Sequence, residues 1–348
     1  MDYGTERLDS AQAKAWRAQD WPAPAAVWTG TPAADLARAA DALNHHARDL
    51  AALAALSLDL PARAVLTEDL TLAISALRDP ARAGSLDQTT ATPLVLIPAG
   101  VLPSALIGAA VPALAAGRAA VLRVAPKALP LAHALLAVMA LPEGALVVQS
   151  GDAVPGPDLA FIIHADADLD AVADALCDRY WPLNPRPVRL IVQEGVTDAF
   201  IARLNARLAR LRMGDPLALD SDLAPLPPAP DLAARIAAAG GMLSGRICTG
   251  LGPATLPETD QPVGFILTFR LPPEAVALAE NHPGPMAVSL WSESVEPALN
   301  TAFSLRIQSV ALNGLPGTVT EAGCLRLRQN GVQIDLPAGQ RSTETAGY

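Results

Sequence analysis

The hydrophobic pattern of the N-terminal part of the chain is helical. Apolar residues recur at a spacing of three and four over residues 32–58, as at Leu43 and Leu50, and again over residues 66–77. This spacing places apolar side chains on one face of a helix. The first ninety residues are therefore predicted to form helices.

From residue 93 onward, short apolar runs alternate with helical runs. A proline at position 103 opens one helical run and Gly117 closes it, as is typical of helix starts and stops. Strand–helix alternation with short connections predicts a parallel sheet with right-handed crossovers, an architecture common in nucleotide-binding proteins. The predicted strands are 93–98, 120–124 and 145–149, and the predicted helices are 103–117 and 130–141.

The alternation stops in a Gly/Pro-rich stretch, 151–157, and then resumes. We predict two α/β lobes, 1–157 and 158–314, and a tail, 315–348, in which residues 318–334 form an edge strand or hairpin that is a candidate oligomerisation strand. Residues 223–230 are proline-rich and predict a loop. In the second lobe the predicted strands are 159–164, 188–193, 264–269, 286–291 and 309–312, and the predicted helices are 169–180, 198–211, 273–280 and 295–305.

Charge argues against a nucleic-acid partner. The 348 residues carry a net charge of −10, whereas phosphate backbones are bound by clustered basic residues. The arginines of the helix 198–211, which are Arg203, Arg207 and Arg210, are interpreted as a solvated face.

The chain is also expected to be soluble. Residues 89–117 carry no charge, but four prolines divide them into segments too short to cross a bilayer. The polar N-terminus, MDYGTERLDS, does not resemble a signal peptide. No membrane association and a cytoplasmic location are therefore expected.

Cysteines and histidines do not predict a metal site. Cys177, Cys248 and Cys324 are odd in number and far apart, so they form neither a disulfide framework nor a zinc-binding spacing. The histidines have no nearby pattern of Cys, Asp or Glu and are interpreted as structural or surface residues; they include His45, His46, His133 and His164.

Residues 97–117, IPAGVLPSALIGAAVPALAAG, together with AAVLR at 119–123, resemble the aldehyde dehydrogenase superfamily. In that family a strand ending in Ile-Pro-Trp-Asn leads into a helix ending in Ala-Pro-Ala-Leu-Ala-Ala-Gly. The resemblance implies a shortened aldehyde-dehydrogenase-like fold, with two parallel-sheet lobes of Rossmann-like type. Further pieces agree in family order: 165–170, 189–194, 213–217, 277–281, 289–291 and 310–313.

The family reaction needs a thiolate nucleophile, an amide that holds the oxyanion, a carboxylate base and a bound nicotinamide. By the resemblance, the nucleophile position falls on Asn184, the oxyanion-hole asparagine on Gly100 and its neighbouring tryptophan on Ala99. An asparagine amide does not form a thioester, so no catalytic residue is assigned.

The other family motifs are also absent. The glutamate base and the Gly-Ser-Thr turn near the cofactor phosphates would lie between Val148 and Asp158, where the chain has only QSGDAVPGP. The late Glu-Glu-Ile-Phe-Gly-Pro motif has no counterpart before Gly264. For the cofactor, Pro98 and Arg123 remain as candidate contacts, while Pro126 replaces a family glutamate. No cofactor is assigned, and NAD(P) is the candidate cofactor whose binding is open to test.

Two residues near position 184 have alternative interpretations. Cys177 is either a displaced nucleophile or a core cysteine, and acidic Asp174 and Asp178 favour the core because they raise the pKa of a thiol. Tyr180 and Trp181 either plug the former substrate tunnel or pack ordinarily.

Three functions therefore stay open. The leading hypothesis is a pseudoenzyme, a structural or regulatory partner in a homo- or hetero-oligomer with an aldehyde dehydrogenase chain. The alternatives are an NAD(P)-dependent aldehyde oxidoreductase with a relocated active site, and a dinucleotide or small-molecule binding module.

Overall fold

A computed structural model describes most of the chain. The described residues are 6–19, 32–80, 94–98, 100–151, 158–225, 229–282, 284, 286–307, 309–316, 325–329 and 332–336. They divide into two compact units, the first comprising residues 1–156 and 211–225 and the second residues 157–210 and 226–348.

The first unit combines a helical N-terminal part with a small parallel sheet. Its helix α6 begins with Pro103 at its first position and is followed by Gly117, whose φ of 69° suits a residue without a side chain. A π-helical turn, Val65–Asp69, separates α4 from α5. The helices are α1 (Ala11–Ala18), α2 (Pro32–His45), α3 (Ala47–Leu58), α4 (Ala62–Ala64), α5 (Leu70–Arg78), α6 (Pro103–Ala115) and α7 (Leu129–Met139).

Three parallel strands form the described sheet of this unit, in the order β1-β2-β3. These are β1 (Leu94–Leu96), β2 (Ala120–Val124) and β3 (Leu146–Ser150), and α6 and α7 are the crossovers between them. The carboxyl ends of the three strands therefore lie along one edge of the sheet.

In the second unit, nine described strands form one sheet in the order β11-β12-β10-β9-β4-β5-β8-β7-β6. The central strand β4 is an apolar run with five of its six residues buried, as expected for a strand covered on both faces. The strands are β4 (Asp158–Ile163), β5 (Val188–Gln193), β6 (Met242–Ser244), β7 (Ile247–Thr249), β8 (Gly264–Phe269), β9 (Met286–Trp291), β10 (Ser309–Leu312), β11 (Leu325–Gln329) and β12 (Val332–Leu336).

Helices connect the parallel strands of this sheet. The carboxylate of Asp168 caps α8 by accepting hydrogen bonds from the amides of Asp170 and Ala171 at 3.1 and 3.0 Å. A π-helical turn, Ala175–Tyr180, links α8 to α9. The helices are α8 (Leu169–Asp174), α9 (Trp181–Leu183), α10 (Thr197–Leu208), α11 (Pro230–Ala238), α12 (Pro272–Glu280) and α13 (Val295–Ser304).

The α/β fold class with parallel sheets is confirmed. Four predicted strands, 188–193, 264–269, 286–291 and 309–312, match the structure residue for residue. The tail forms the hairpin β11–β12, and β12 joins β10 in parallel.

Other expectations need correction. The predicted helix 32–58 is two helices that meet at His46, and the hairpin β6–β7 was not predicted. Residues 211–225, which the sequence analysis placed in the second lobe, group with the first unit. The predicted domain limits themselves stay a prediction.

The uncharged stretch 89–117 contributes α6, which has only 13 residues. Among the described residues, no helix combines the length and the apolar character that crossing a membrane requires.

Candidate functional site

Residues 181–187, which we call the Asn184 segment, comprise α9, the end of the helical run 169–183, and the connection from it to β5. Pro182, Pro185 and Pro187 limit helix formation, and α9 ends at Leu183. The backbone N–H of Asn184 donates to the carbonyl of Tyr180 at 2.7 Å, which holds the residue at the helix end. The side chain of Asn184, the position predicted for the family's nucleophile, is a half-buried amide.

An ion cluster fixes this segment to the starts of two strands. The Arg186 guanidinium pairs with the carboxylate of Asp158, the first residue of β4. The other oxygen of that carboxylate lies 3.0 Å from Nε2 of His282, which precedes β9. On the other side of the ring, His282 Nδ1 lies 3.1 Å from the backbone nitrogen and 3.3 Å from the carbonyl oxygen of Gly284. Both oxygens of Asp158 are thus engaged, and the carboxylate is not a free general base.

Cys177 is a core cysteine. Its side chain is fully buried, and burial, followed by the charge of Asp178, raises the pKa of its thiol to about 12. Arg207 and Arg246 lower that pKa, but they do not overcome the burial. A thiol in this state is protonated at neutral pH and inaccessible, so the core interpretation is confirmed.

The second described cysteine is also in the core. Cys248 is 1% exposed, and burial raises its pKa. Cys324 lies outside the described residues.

The aromatic residues beside position 184 pack in the core of the second unit. The Trp181 side chain is fully buried, and its indole N–H donates to the Arg186 carbonyl at 3.2 Å. The ring of Tyr180 meets Phe161 edge-on at a centroid distance of 6.4 Å. Of the two interpretations made from the sequence, the structure supports ordinary packing.

The solvated face predicted for the helix 198–211 is confirmed at Arg203 and Arg210, which are exposed, while Arg207 is half-buried. Arg203 pairs with Asp170, and Arg207 bridges Asp174 and Asp178, which flank Cys177. These pairs join α10 to the helical run 169–183.

The predicted cofactor contacts lie at the carboxyl edge of the small sheet in the first unit. Pro98 is buried just after β1, and Arg123 is exposed near the end of β2. A Cβ added to Gly151, which follows β3, would lie 3.2 Å from the Cβ of Arg123. The Arg123 stem therefore packs over the Gly151 backbone, and its guanidinium remains a candidate donor to a ribose.

A buried carboxylate occupies the helix start that follows Pro98 and Gly100. Asp69 is 1% exposed and accepts hydrogen bonds from the backbone N–H of Ser104, at 3.0 Å, and from its hydroxyl. Burial raises the pKa of Asp69 to about 6, and the Ser104 bonds only partly offset that effect. Sequence reasoning missed this residue, although Ser104 after Pro103 marked the helix start.

The residues present fit a dinucleotide only in part. Helix N-termini bind phosphates through free backbone N–H groups, but in α6 the N–H of Ser104 already donates to the Asp69 carboxylate. Gly100 supplies no side chain, and a Cβ there would only touch Ala105 at 3.4 Å. Arg123 is thus the described donor that fits the cofactor.

The described residues contain no group of three or more His, Cys, Asp or Glu side chains arranged to hold a metal ion. His164 lies at the end of β4, and burial lowers its pKa.

Comparison with known proteins identifies the fold. The aldehyde dehydrogenase family model matches residues 154–234. Betaine aldehyde dehydrogenase 2 of Rhizobium meliloti is 36% identical over 75 residues, which cover 20% of this chain and 16% of that protein. The chain thus matches only a small part of that relative's length.

Solved structures match over much more of the chain. An E. coli NADP-dependent enzyme has a TM-score of 0.68 at 19% identity, covering 93% of this chain and 82% of the other. An oxidoreductase of Marinobacter aquaeolei has a TM-score of 0.67 at 18% identity, covering 85% and 79%. The indole-3-acetaldehyde dehydrogenase AldA of P. syringae, solved with NAD+ and IAA, has a TM-score of 0.63 at 22% identity, covering 82% and 77%.

These structures share their fold with the chain, and residues 154–234 match the family model besides. The aldehyde-dehydrogenase-like fold expected from the sequence is therefore confirmed. Together the two findings support membership of the aldehyde dehydrogenase superfamily.

Proposed function

We propose that the chain is a pseudoenzyme of the aldehyde dehydrogenase superfamily that acts as a non-catalytic structural or regulatory partner of an active aldehyde dehydrogenase. The observation that carries this proposal is the Asn184 segment. An amide stands at Asn184, the position that the resemblance predicts for the nucleophile, and the adjoining carboxylate of Asp158 is engaged by Arg186 and His282. This arrangement supplies neither a thiolate nor a free base for the family reaction.

The partner role rests on the retained scaffold. The sheet of the second unit ends in the described strand β11, which pairs with β12 on one side only. Sheet edges are common sites of association between chains, and members of a family associate through matching surfaces. A chain that keeps the fold without the chemistry is therefore suited to joining an active relative.

The experiment is co-expression with an active aldehyde dehydrogenase from the same organism, followed by sedimentation and assays of each chain alone and together. We expect a complex of fixed ratio, no aldehyde oxidation by the isolated chain, and altered activity or thermal stability of the active partner. Turnover by the isolated chain, or separate sedimentation of the two chains, would overturn the proposal.

One alternative is an oxidoreductase with a relocated site. It requires a new nucleophile, and Cys177 and Cys248 are buried. Loss of measured turnover in Cys177→Ser, but not in the matched Cys248→Ser, would support it.

The other alternative is a dinucleotide-binding module, which the exposed Arg123 favours. P. syringae AldA was solved with NAD+, and the E. coli enzyme is NADP-dependent. Calorimetric titration with NAD+ and NADP+ tests it. Stoichiometric binding would favour this module over a partner subunit that binds no dinucleotide. Arg123→Ala should then abolish binding, and the exposed control Lys127→Ala should leave it intact.

A further inference from the structure

The strand β8 is paired along its whole length on one side only. On that side its six residues pair with β5, from Val188 opposite Gly264 to Gln193 opposite Phe269. On the other side the described ladder with β7 contains only two pairs, Ile247 with Gly264 and Cys248 with Phe265. The ladder does not continue past Cys248, and Gly250, with a φ of 82°, follows β7.

The unpaired part of this edge consists of the backbone groups of Ile266, a residue that is 6% exposed, and of Thr268, which is exposed. The N–H of Gly264 donates to the Arg246 carbonyl at 2.8 Å, so Gly264 faces the β7 side. Alternation along a strand directs the backbone groups of Ile266 and Thr268 to the same side. None of the loop or turn hydrogen bonds between described backbone groups reaches Thr268.

These groups lie in a groove of about 670 Å³. Its lining includes Ile201 and Asn205 of α10, Ile247 of the hairpin β6–β7 and Leu278 of α12. Met242, at the rim, is 66% exposed. A concave, largely apolar surface with a few polar groups has the character of a binding site.

Asp198 gives the groove its charge. Among the residues that line it, all of them described, Asp198 is the only charged one. It takes part in none of the salt bridges found between described side chains. The groove therefore favours a ligand with a positive charge at one end.

The row of backbone groups decides what kind of ligand fits. A strand's unpaired N–H and C=O groups are satisfied at the right spacing by another extended backbone, which binds about 4.8 Å away. A small apolar molecule does not satisfy them. A second copy is disfavoured because each chain carries a net charge of −10.

We propose that the open edge of β8 binds an extended peptide by strand addition, with apolar side chains in the groove and a lysine or arginine beside Asp198. Main-chain hydrogen bonds to Thr268 supply affinity, and the groove and the carboxylate select the side chains. The site is assigned from the second unit alone, so it does not depend on the proposed aldehyde dehydrogenase partner.

The probe is a displayed library of random seven-residue peptides, selected against the full chain and followed by calorimetry with the synthetic winners. We expect winners that combine a basic residue with alternating apolar ones. N-methylation of alternate peptide amides should weaken binding at least tenfold in one register and leave it unchanged in the other, because only one set of amides faces β8.

Variants of the chain test the location. Thr268→Pro removes the N–H that faces the open edge and should abolish binding, whereas Thr268→Val keeps the N–H and should preserve it. Asp198→Asn should weaken binding and reduce its salt dependence. Thermal melts confirm that each variant is folded.

Three results would overturn the proposal: no selected peptide, equal affinity of both N-methyl series, or binding that survives in folded Thr268→Pro. Concentration-dependent dimerisation abolished by Thr268→Pro would show instead that a second copy takes the edge.

Discussion

Two segments of the molecule contain the positions predicted for the family's nucleophile and oxyanion-hole asparagine, and each segment is held by one carboxylate. Residues 97–104, here called the Gly100 segment, lead into α6, whose second residue, Ser104, donates to buried Asp69. The Asn184 segment is held by Asp158, which faces two basic side chains. Asp69 hydrogen-bonds only to Ser104 among the described residues, whereas Asp158 is in an ion cluster.

The two segments are therefore expected to depend on different solution conditions. Burial without a cation makes the carboxylate of Asp69 costly to ionise, so the Gly100 segment should respond to pH. The ion cluster at Asp158 is partly exposed, so the Asn184 segment should respond to salt.

The largest effect is expected in the core beneath the Asn184 segment. Trp181→Ala removes a fully buried indole and its hydrogen bond to the Arg186 carbonyl. We expect the free energy of unfolding to fall by about 3–5 kcal/mol, measured by urea denaturation. Trp181→Phe is the matched control and should cost clearly less. A loss below about 1 kcal/mol for the alanine variant would mean that Trp181 does not anchor the segment.

The next effect is the pH response of the Gly100 segment. Asp69 has a pKa of about 6 when folded, against an ordinary value of 3.8, so the folded state holds the proton more tightly than the unfolded state. Its contribution to stability is fully present below pH 3.8 and is lost as the pH rises through about 6. The expected loss over this window is about 3 kcal/mol.

Asp69→Asn should remove this dependence, because an amide does not ionise; its oxygen accepts from the N–H of Ser104 and its NH2 group donates to the Ser104 hydroxyl oxygen. In thermal melts from pH 4 to 8, the melting temperature of the variant should rise relative to that of the wild type as the pH rises. The exposed control Asp41→Asn should leave the pH profile unchanged. Parallel profiles for wild type and Asp69→Asn would contradict the role given to Asp69.

A smaller effect is expected from the ion cluster. Asp158→Asn leaves Arg186 and His282 without their anion, and the groups are partly buried. We expect a loss of about 1–2 kcal/mol at low salt that shrinks at high salt. The control is Asp170→Asn, which breaks the more exposed pair with Arg203 and should cost less than about 1 kcal/mol. Equal losses, or a loss independent of salt, would show that the cluster does not hold the segment.

Much of the fold followed from the sequence because its signals are local. Strands such as 188–193 and 286–291 are continuous apolar runs, and Gly117 marked a helix end that the structure confirms. The π-helical turns at 65–69 and 175–180 have no such signal, since their residues continue a helical pattern.

The site was only partly predictable. The resemblance predicts roles for positions 184 and 100, because both lie in motifs of fixed spacing, and that assignment stays a prediction. The ion cluster was missed because Asp158, Arg186 and His282 meet only through the order of the strands β5, β4 and β9. Contacts of that kind depend on topology, which residue spacing alone does not encode.

The smallest effect on stability is expected when the family's asparagine and cysteine are introduced at the positions predicted for them, 100 and 184. Asn184 is half-buried at a helix end, and a Cβ at Gly100 meets only Ala105, at 3.4 Å. The double variant Gly100→Asn with Asn184→Cys should therefore unfold within about 0.5–1 kcal/mol of the wild type. It should also gain one thiol that reacts with iodoacetamide, located by mass spectrometry, while Cys177 stays unmodified because it is buried.

Sustained turnover should still be absent. A thiol attacks an aldehyde, but release of the acyl group needs a base, and the stretch QSGDAVPGP supplies no glutamate while Asp158 is engaged by Arg186 and His282. The matched control is Gly100→Asn with Asn184→Ser, which has no new thiol. Steady NAD(P)H production by the cysteine variant, and none by the serine variant, would show that the chain lacks no more than the nucleophile and the oxyanion-hole amide, and the contrast between the two segments would then concern stability alone.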